Sequence, residues 1–423
     1  MIYCGLYQMD ITPALGMEIP GYFCVRHGSG IREPLYCQAA YFEDENGGKA
    51  VLVTMDSIIV PRGLTPFVRK ELSEKLSVAP ECVMTCATHT HLGGPVETWG
   101  EFTHENPEYI AFLSRRALDC AVLAEKAKRP VKIGVGFGKE YSVGHIRDFV
   151  TPDGVYHTNS HLPGQKEVGK IDPDVGVLRI DNADGTAYGL IANYACHCDS
   201  VGGDMLSSDY PGAMRDTLRK TYGADFMPLF VNGFNGNINH IDFDHDTHKV
   251  PNYYRQMGRV LAAEVSRTYE KIAVSDDYTF GGAEEIFDVP RRLPMDYELA
   301  WAKQVPADAG VQDSFYRDEM LKFQTEGPRS LEADVQVLKL GPILVCGMPG
   351  EIYSDYAYAL KEQIDAPLFT ANLANHSIGY LTSRQAFNWG IYSARLCTCA
   401  WLSPDSGDTM TASCVRSAEK LLK

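Results

Sequence analysis

Three times in this chain a short apolar run ends in a side chain that can hold a metal, and a glycine-bearing turn or a helix follows. The first run, Cys82 to Ala87, closes on Thr88-His89-Thr90-His91 ahead of Gly93-Gly94-Pro95. The second, Tyr188 to Ala195, closes on Cys196-His197-Cys198-Asp199 ahead of Gly202-Gly203. The third, Ile343 to Cys346, enters Gly347-Met348-Pro349-Gly350-Glu351, with a helix expected from about Ile352. Apolar runs this short, bounded by glycine and proline, read as buried strands. Strand ends of one α/β sheet meet at a common edge, where ligands usually bind. The expected class is therefore α/β, with mixed β-sheets flanked by helices and a metal site at the converging strand ends.

Alternate residues of a strand share a face, so His89 and His91 would point the same way at the open end. Either or both could ligate a metal. The motif alone fits two unrelated surface or capping histidines equally well. Two histidines and a carboxylate around an open position make a catalytic zinc site. Zinc in such a site lowers the pKa of bound water to roughly 7 and polarises a carbonyl.

The remaining segments supply the layers. Strands at Tyr36 to Glu43 and Ala50 to Val60 flank the turn Asn46-Gly47-Gly48, and Asp56 in the second needs a partner or a strand-end position. Residues 63–77 carry Leu64, Phe67, Val68 and Leu72 on one helical face. Asn106-Pro107 opens a longer amphipathic helix to about Lys128. Residues 141–163 are polar and irregular and hold His145, Arg147, His157 and His161. Val175 to Ile180 and Ala187 to Ala195 form an expected hairpin. Ser207-Ser208-Asp209 caps a helix to about Tyr222, and another runs from about Asn252 to Ile272.

A strand at Phe226 to Val231 leads into Asn232-Gly233-Phe234-Asn235-Gly236-Asn237-Ile238-Asn239-His240. Such a turn is the material of an oxyanion loop, though asparagine and glycine are also ordinary turn formers. His240, Asp242, Asp244, His245, Asp246 and His248 resemble a metal-binding tract but lack EF-hand spacing and read mostly as a solvated loop, with His240 the first exception to expect. A charged helix is expected near Asp296 to Phe323, a hairpin at Ala333 to Leu340 and Ile343 to Cys346, and a last helix at Asp408 to Lys423. No linker or repeat divides residues 1–423, so one domain is expected.

The formal net charge of -16 disfavours nucleic acid, because phosphate neutralisation needs a basic footprint. No apolar run approaches the ~20 residues of a membrane helix, so no membrane insertion is expected. The N-terminus lacks the basic and apolar regions of a signal peptide, and the expected location is cytoplasmic. The 12 scattered cysteines read as reduced thiols, with Cys196-His197-Cys198 and Cys397-Thr398-Cys399 lacking zinc-ribbon spacing. The sequence sets no oligomeric state.

Taken together, the motifs resemble the neutral, non-lysosomal ceramidase family. The resemblance rests on ordered matches: Asp10-Ile11-Thr12-Pro13, Gly21-Tyr22, Gly30-Ile31, Ala87-Thr88-His89-Thr90-His91-Leu92-Gly93-Gly94, and Arg147 after His145-Ile146. It continues through Asn193-Tyr194-Ala195-Cys196-His197, Ser208-Asp209, Pro349-Gly350-Glu351, and Gly379-Tyr380 with Tyr392 twelve residues on. It covers the catalytic domain alone, with no C-terminal immunoglobulin-like domain. It implies Zn2+ held by His89, His197, Glu351 and Tyr380, with His91, Arg147 and Tyr392 at the substrate or reacting centre.

One motif departs. The turn that carries the family's active-site serine reads Gly236-Asn237-Ile238-Asn239-His240-Ile241, with Asn239 in the serine position. An amide is no nucleophile, but it can donate a hydrogen bond to an oxyanion. The resemblance then implies a zinc-dependent amidase (or esterase) in which metal-bound water attacks the carbonyl. Tyr392, Arg147 and Asn239 would stabilise the oxyanion, and His91 would move a proton to the leaving group. Without a long exposed apolar segment for docking on lipid, a small soluble substrate fits better than ceramide. Two alternatives stay open: a metal-dependent hydrolase of a sugar derivative or phosphoester, and a binding protein that kept the pocket without catalysis.

Overall fold

Alternation along the strands sorts the apolar side chains into two cores. In the strand Tyr36–Asp44, Cys37, Ala39 and Tyr41 face helices, while Ala40 and Phe42 face a second sheet. The computed structural model describes every residue from 1 to 423 except Asp244 and Asp246, and of His248 the backbone alone.

The larger sheet has eight strands. Across it run Met227–Asn232, Ala187–Tyr194, Asp174–Asn182, Arg129–Lys139, Ile2–Asp10, Tyr36–Asp44, Lys49–Met55 and Val83–Ala87. Most neighbours are antiparallel; the outermost pair at each edge is parallel. The smaller sheet runs Phe280–Pro290, Ser330–Leu340, Ile343–Gly347, Leu368–Ala371. Its inner face supplies Leu338, Leu340, Val345 and Phe369 to the core that holds Phe42, Leu52, Met84, Leu178 and Ile191. Burying each such side chain contributes roughly 1.5–3 kcal/mol.

Helices cover the outer faces. Leu64–Leu76 and Pro107–Lys126 pack on one half of the larger sheet, through Val68, Leu72, Leu113 and Ala117. Asp209–Tyr222 and Tyr253–Tyr269 cover the other half, through Met214, Leu218, Met257 and Leu261. Ser354–Gln363 and Asp405–Leu422 cover the smaller sheet. The fold is α/β with mixed sheets flanked by helices, as expected. Among the described residues, no helix is long and apolar enough to cross a membrane.

The larger sheet curls until strands from its two halves meet. Thr54 Oγ1 donates to the Phe230 carbonyl at 2.8 Å, and Gln38 Nε2 donates to the Pro228 carbonyl at 2.9 Å. This curl brings the loop after Val83–Ala87 beside the loop after Ala187–Tyr194. Asn193 Nδ2 ties the sheets together by donating to the carbonyls of Val231 and Thr370 at 2.9 and 2.8 Å.

Three expectations change in detail. The helix expected near Asp296 to Phe323 is two helices, Asp296–Ala302 and Val311–Glu326. Pro306, which has no N–H to donate, and Gly310 lie between them. The irregular segment 141–163 contains short strands, with Asp148–Val150 paired to Tyr156–Thr158 on one side and Lys166–Glu167 on the other. The His-x-His strand stops at Ala87, and His89 takes a left-handed φ of 70°. A turn, rather than strand alternation, therefore aims the two histidines.

Asp56 has found its partners. Its carboxylate is fully buried and accepts from Arg215 at 2.6 Å, the Tyr36 N–H at 2.9 Å and Thr88 Oγ1 at 3.3 Å. Removing one member of a buried ion pair strands the other charge. Arg215→Ala should lower stability in urea unfolding by about 3–5 kcal/mol. The double variant Asp56→Ala/Arg215→Met should lose less than that single one. A single-variant loss below about 1 kcal/mol would contradict the structural weight given to this pair.

Candidate metal centre

His89, His197 and Glu351 arrive on three separate loops, and a chain of buried amides clamps those loops together. Asn232 Nδ2 donates to the Thr88 carbonyl at 2.8 Å and to the Cys196 carbonyl at 2.9 Å, the residues just before the two histidines. Asn235 Nδ2 also reaches the Cys196 carbonyl, at 3.2 Å. Asn372 Nδ2 donates to Asn235 Oδ1 at 2.8 Å, and Asn372 Oδ1 accepts the Ile352 N–H at 2.9 Å, one residue past Glu351. Gly236 closes the contact. Its N–H donates to the Ile352 carbonyl at 2.7 Å, and a Cβ there would lie 2.6 Å from the Glu351 carbonyl oxygen.

Each histidine is oriented from behind. His89 Nδ1 lies 2.8 Å from the Ile58 carbonyl oxygen. His197 Nδ1 lies 2.9 and 3.0 Å from the carbonyl oxygens of Asn235 and Ile238. Carbonyls only accept, so both Nδ1 atoms carry hydrogen, and in the neutral rings Nε2 holds the lone pair. Both Nε2 atoms face the same carboxylate oxygen, Glu351 Oε2, at 3.2 Å. Lone pairs aimed at an anionic oxygen repel unless a cation or proton lies between them. Tetrahedral zinc with bonds of about 2.0–2.1 Å holds neighbouring ligand atoms roughly 3.3–3.4 Å apart, so the spacing fits such an ion.

Without an ion, the charges of these three groups act on one another. Burial favours the neutral Glu351 carboxyl, but His89 and His197 outweigh it and hold the group well below the usual carboxylate range. Burial lowers His89, but Glu351 outweighs it and the ring ends above its ordinary value. Burial and the Arg147 guanidinium push His197 down to about 4.

The nitrogens of His89, His91 and His197 lie within 4.8 Å of one another and could hold a metal ion. His91 Nε2 is 3.3 Å from His89 Nε2. Yet His91 Nδ1 has no hydrogen-bond partner, so nothing fixes this ring as the carbonyls fix the other two. It rests instead against Gly21, where a Cβ would lie 2.5 Å from Nδ1, and beside the Tyr22 ring at 5.7 Å. Tyr22 in turn donates to Asp199. Burial, then His89 and His197, hold His91 well below its ordinary pKa.

Tyr380 is the register partner of Glu351 in a short parallel pairing, Glu351–Ile352 with Tyr380–Leu381. Burial keeps its phenol well above the usual range, with Arg147 opposing and Glu351 adding. The Tyr380 and Tyr392 rings are 5.7 Å apart, and the Arg147 guanidinium stands 5.2 and 5.7 Å from their centroids. Arg147 is buried; it donates to the Gly236 carbonyl at 2.5 Å and approaches His197 Nε2 at 3.3 Å. The structure thus gathers seven of the eight expected residues.

Asn239 is the exception, because both ends of its amide are engaged elsewhere. Nδ2 donates to Asn159 Oδ1 at 2.6 Å, and Oδ1 accepts from the Ile241 N–H at 3.0 Å. In the loop beyond it, His245 pairs with Asp242 at 2.7 Å, while Asp244, Asp246 and the His248 side chain lie outside the described residues.

A cavity of about 340 Å³ opens in front of this centre. His89, His91, Glu351, Tyr380 and Tyr392 form one end, and Trp99, Trp401 and Val96 form apolar walls. Glu97 also lines it, a residue that none of the sequence motifs marks. Its only sequence signal is an acidic residue two places after the turn Gly93-Gly94-Pro95.

No family model matches the sequence. The crystal structure of neutral ceramidase from Pseudomonas aeruginosa matches with a TM-score of 0.77 at 17% identity, covering 99% of this chain and 74% of that one. The chain has a neutral-ceramidase-like fold. A ceramidase structure complexed with C2 matches with a TM-score of 0.75 at 16% identity, covering 100% of this chain and 75% of the other. In sequence, neutral ceramidase B of Dictyostelium discoideum is 25% identical over 225 residues. That match spans 50% of this chain and 30% of the Dictyostelium protein.

The amide clamp generates a test. Asn232→Ala would leave the Thr88 carbonyl and the Cys196 N–H without their buried side-chain partner, and the Cys196 carbonyl with Asn235 and Tyr210 alone. The expected loss is about 2–5 kcal/mol in urea unfolding. A change within about 0.5 kcal/mol would show that Asn232 does not hold the histidine loops together.

Proposed function

We propose that this chain is a zinc-dependent hydrolase that cleaves an amide (or ester) bond of a small substrate at the His89/His197/Glu351 centre. The observation that carries the reading is the pair of imidazole lone pairs facing one carboxylate oxygen, an arrangement suited to a bound cation. His89, His197, Glu351 and Tyr380 would hold zinc. His89 and His197 have their Nδ1 atoms fixed by carbonyls, and Tyr380 is in register with Glu351. When bound, zinc would polarise a substrate carbonyl and acidify water.

The surrounding side chains divide the remaining work. Tyr392 lines the cavity, and burial keeps its hydroxyl protonated. It donates to the oxyanion that develops on the carbonyl oxygen. Arg147 is a positioning residue behind both tyrosines: its fixed positive charge holds them in place and favours negative charge in front of them. His91 is neutral and unfixed at Nδ1. It takes a proton at the reacting centre and returns it to the leaving amine or alcohol. Asn239, with Oδ1 and one of its two Nδ2 hydrogens held by Ile241 and Asn159, is not needed in this scheme. No serine is required, consistent with asparagine in the serine position of the resembling family. The cavity volume suits a small substrate.

Two variants separate metal binding from catalysis. His197→Ala should lose both bound zinc and turnover. Tyr392→Phe should keep its zinc while kcat falls roughly 10²–10³-fold. Elemental analysis, with matched amide, ester and phosphoester model substrates, reads both. Full zinc content in His197→Ala would sink the ligand assignment, and turnover confined to the phosphoester would overturn the amide reading.

A further inference from the structure

The cavity carries one charge that the hydrolytic reading leaves unused. Glu97 is half-buried on the wall between Val96 and Trp99. Among the described residues its carboxylate makes no hydrogen bond and no ion pair; the groups it feels are Glu351 and His89. Arg62, the one lysine or arginine among the described lining residues, is exposed and forms no ion pair with it. Burial and the nearby Glu351 push Glu97 up to about 7, against the pull of His89. An ionised carboxylate in this position is costly unless a ligand compensates it.

Aromatic side chains share the cavity with it. Trp99, Trp401 and Tyr392 line the same cavity, and indole and phenol faces attract cations. An ammonium group meets both features, with N–H donors for the carboxylate and positive charge for the rings. A neutral polyol would supply donors but leave the charge uncompensated. An anionic head group would face Glu97, the rim carboxylate Glu105 and the chain's net charge of -16.

We propose that Glu97 selects substrates bearing an ammonium group close to the scissile carbonyl, so that the substrate class is a small acylated amine with a second, protonated amino group. The proposal rests on the hydrolytic reading for the bond that is cleaved. The cation site itself rests on the unpaired carboxylate and the aromatic walls. Glu97 is then a specificity-determining residue that fixes which end of the substrate faces the His89/Glu351 centre.

The test uses benzylammonium and benzyl alcohol, a matched cationic and neutral pair that needs neither zinc nor turnover. Binding to the full chain is read by tryptophan fluorescence or calorimetry at about pH 8.5, where a carboxyl of pKa about 7 is ionised. The expected result is benzylammonium binding about tenfold tighter than benzyl alcohol. In Glu97→Gln that preference should vanish while benzyl alcohol keeps its affinity, which also shows that the cavity is folded. Glu97→Ala gives the same reading if the glutamine variant does not fold. Equal binding of the two probes by the unaltered chain, or a preference that survives both substitutions, would overturn the proposal. A lost amide turnover beside an intact binding preference would count against the hydrolytic reading alone.

Discussion

The centre depends on two imidazole Nε2 atoms that face one oxygen of a carboxylate, an electrostatic conflict when both rings are neutral. Nothing in the local chain requires this. The carbonyls of Ile58, Asn235 and Ile238 impose it by taking the Nδ1 hydrogens and turning Nε2 toward Glu351. Such an arrangement survives only if the surrounding structure overdetermines it. His89 shows the cost locally, as a non-glycine residue in the left-handed region whose backbone N–H is held by the Ser57 carbonyl at 2.9 Å. A metal ion would convert the conflict into attraction, and the scaffold holds His89, His197 and Glu351 where one could bind.

That organisation is spread through the whole fold. The curl of the larger sheet brings its two halves close enough for Asn232 to span the two histidine loops. Asn372, at the end of the smaller sheet's last strand, carries the contact on to the Glu351 loop. Asp56 and Arg215 brace the same region beneath Thr88. The site is built on strand ends and braced turns rather than on a free loop, which holds side chains to the small tolerances that metal binding and catalysis require. Removing one amide of the relay should therefore weaken the fold and the site together.

Much of this is legible in the sequence because it is local. The apolar runs ending in His89, His197 and Glu351 mark the strands. Asn106-Pro107 marks the start of a helix, and Asn106 Oδ1 does accept the Tyr109 N–H at 3.0 Å. The spacing of Leu64, Val68 and Leu72 marks the face that Leu64–Leu76 buries. What the sequence hides is long-range. Composition cannot tell an ordinary Asn-Gly turn from a clamp, because the partners of Asn232 lie 144 and 36 residues away. The engagement of Asn239 with Asn159, 80 residues away, is hidden for the same reason. So is the exposure of Glu97 to the cavity, which the loop after Pro95 lines together with the distant Trp401. Strand alternation explains the convergence of His89 and His91 only by coincidence, since a turn produces it.

The central claim is that His89, His197 and Glu351 share one metal ion. An anomalous difference map at the zinc edge, from crystals equilibrated with zinc, tests it most directly. The account predicts a single strong peak in this centre, about 2.0–2.2 Å from His89 Nε2, His197 Nε2 and a Glu351 oxygen. An ordered site with no peak, or zinc bound elsewhere with these three side chains uncoordinated, would contradict it.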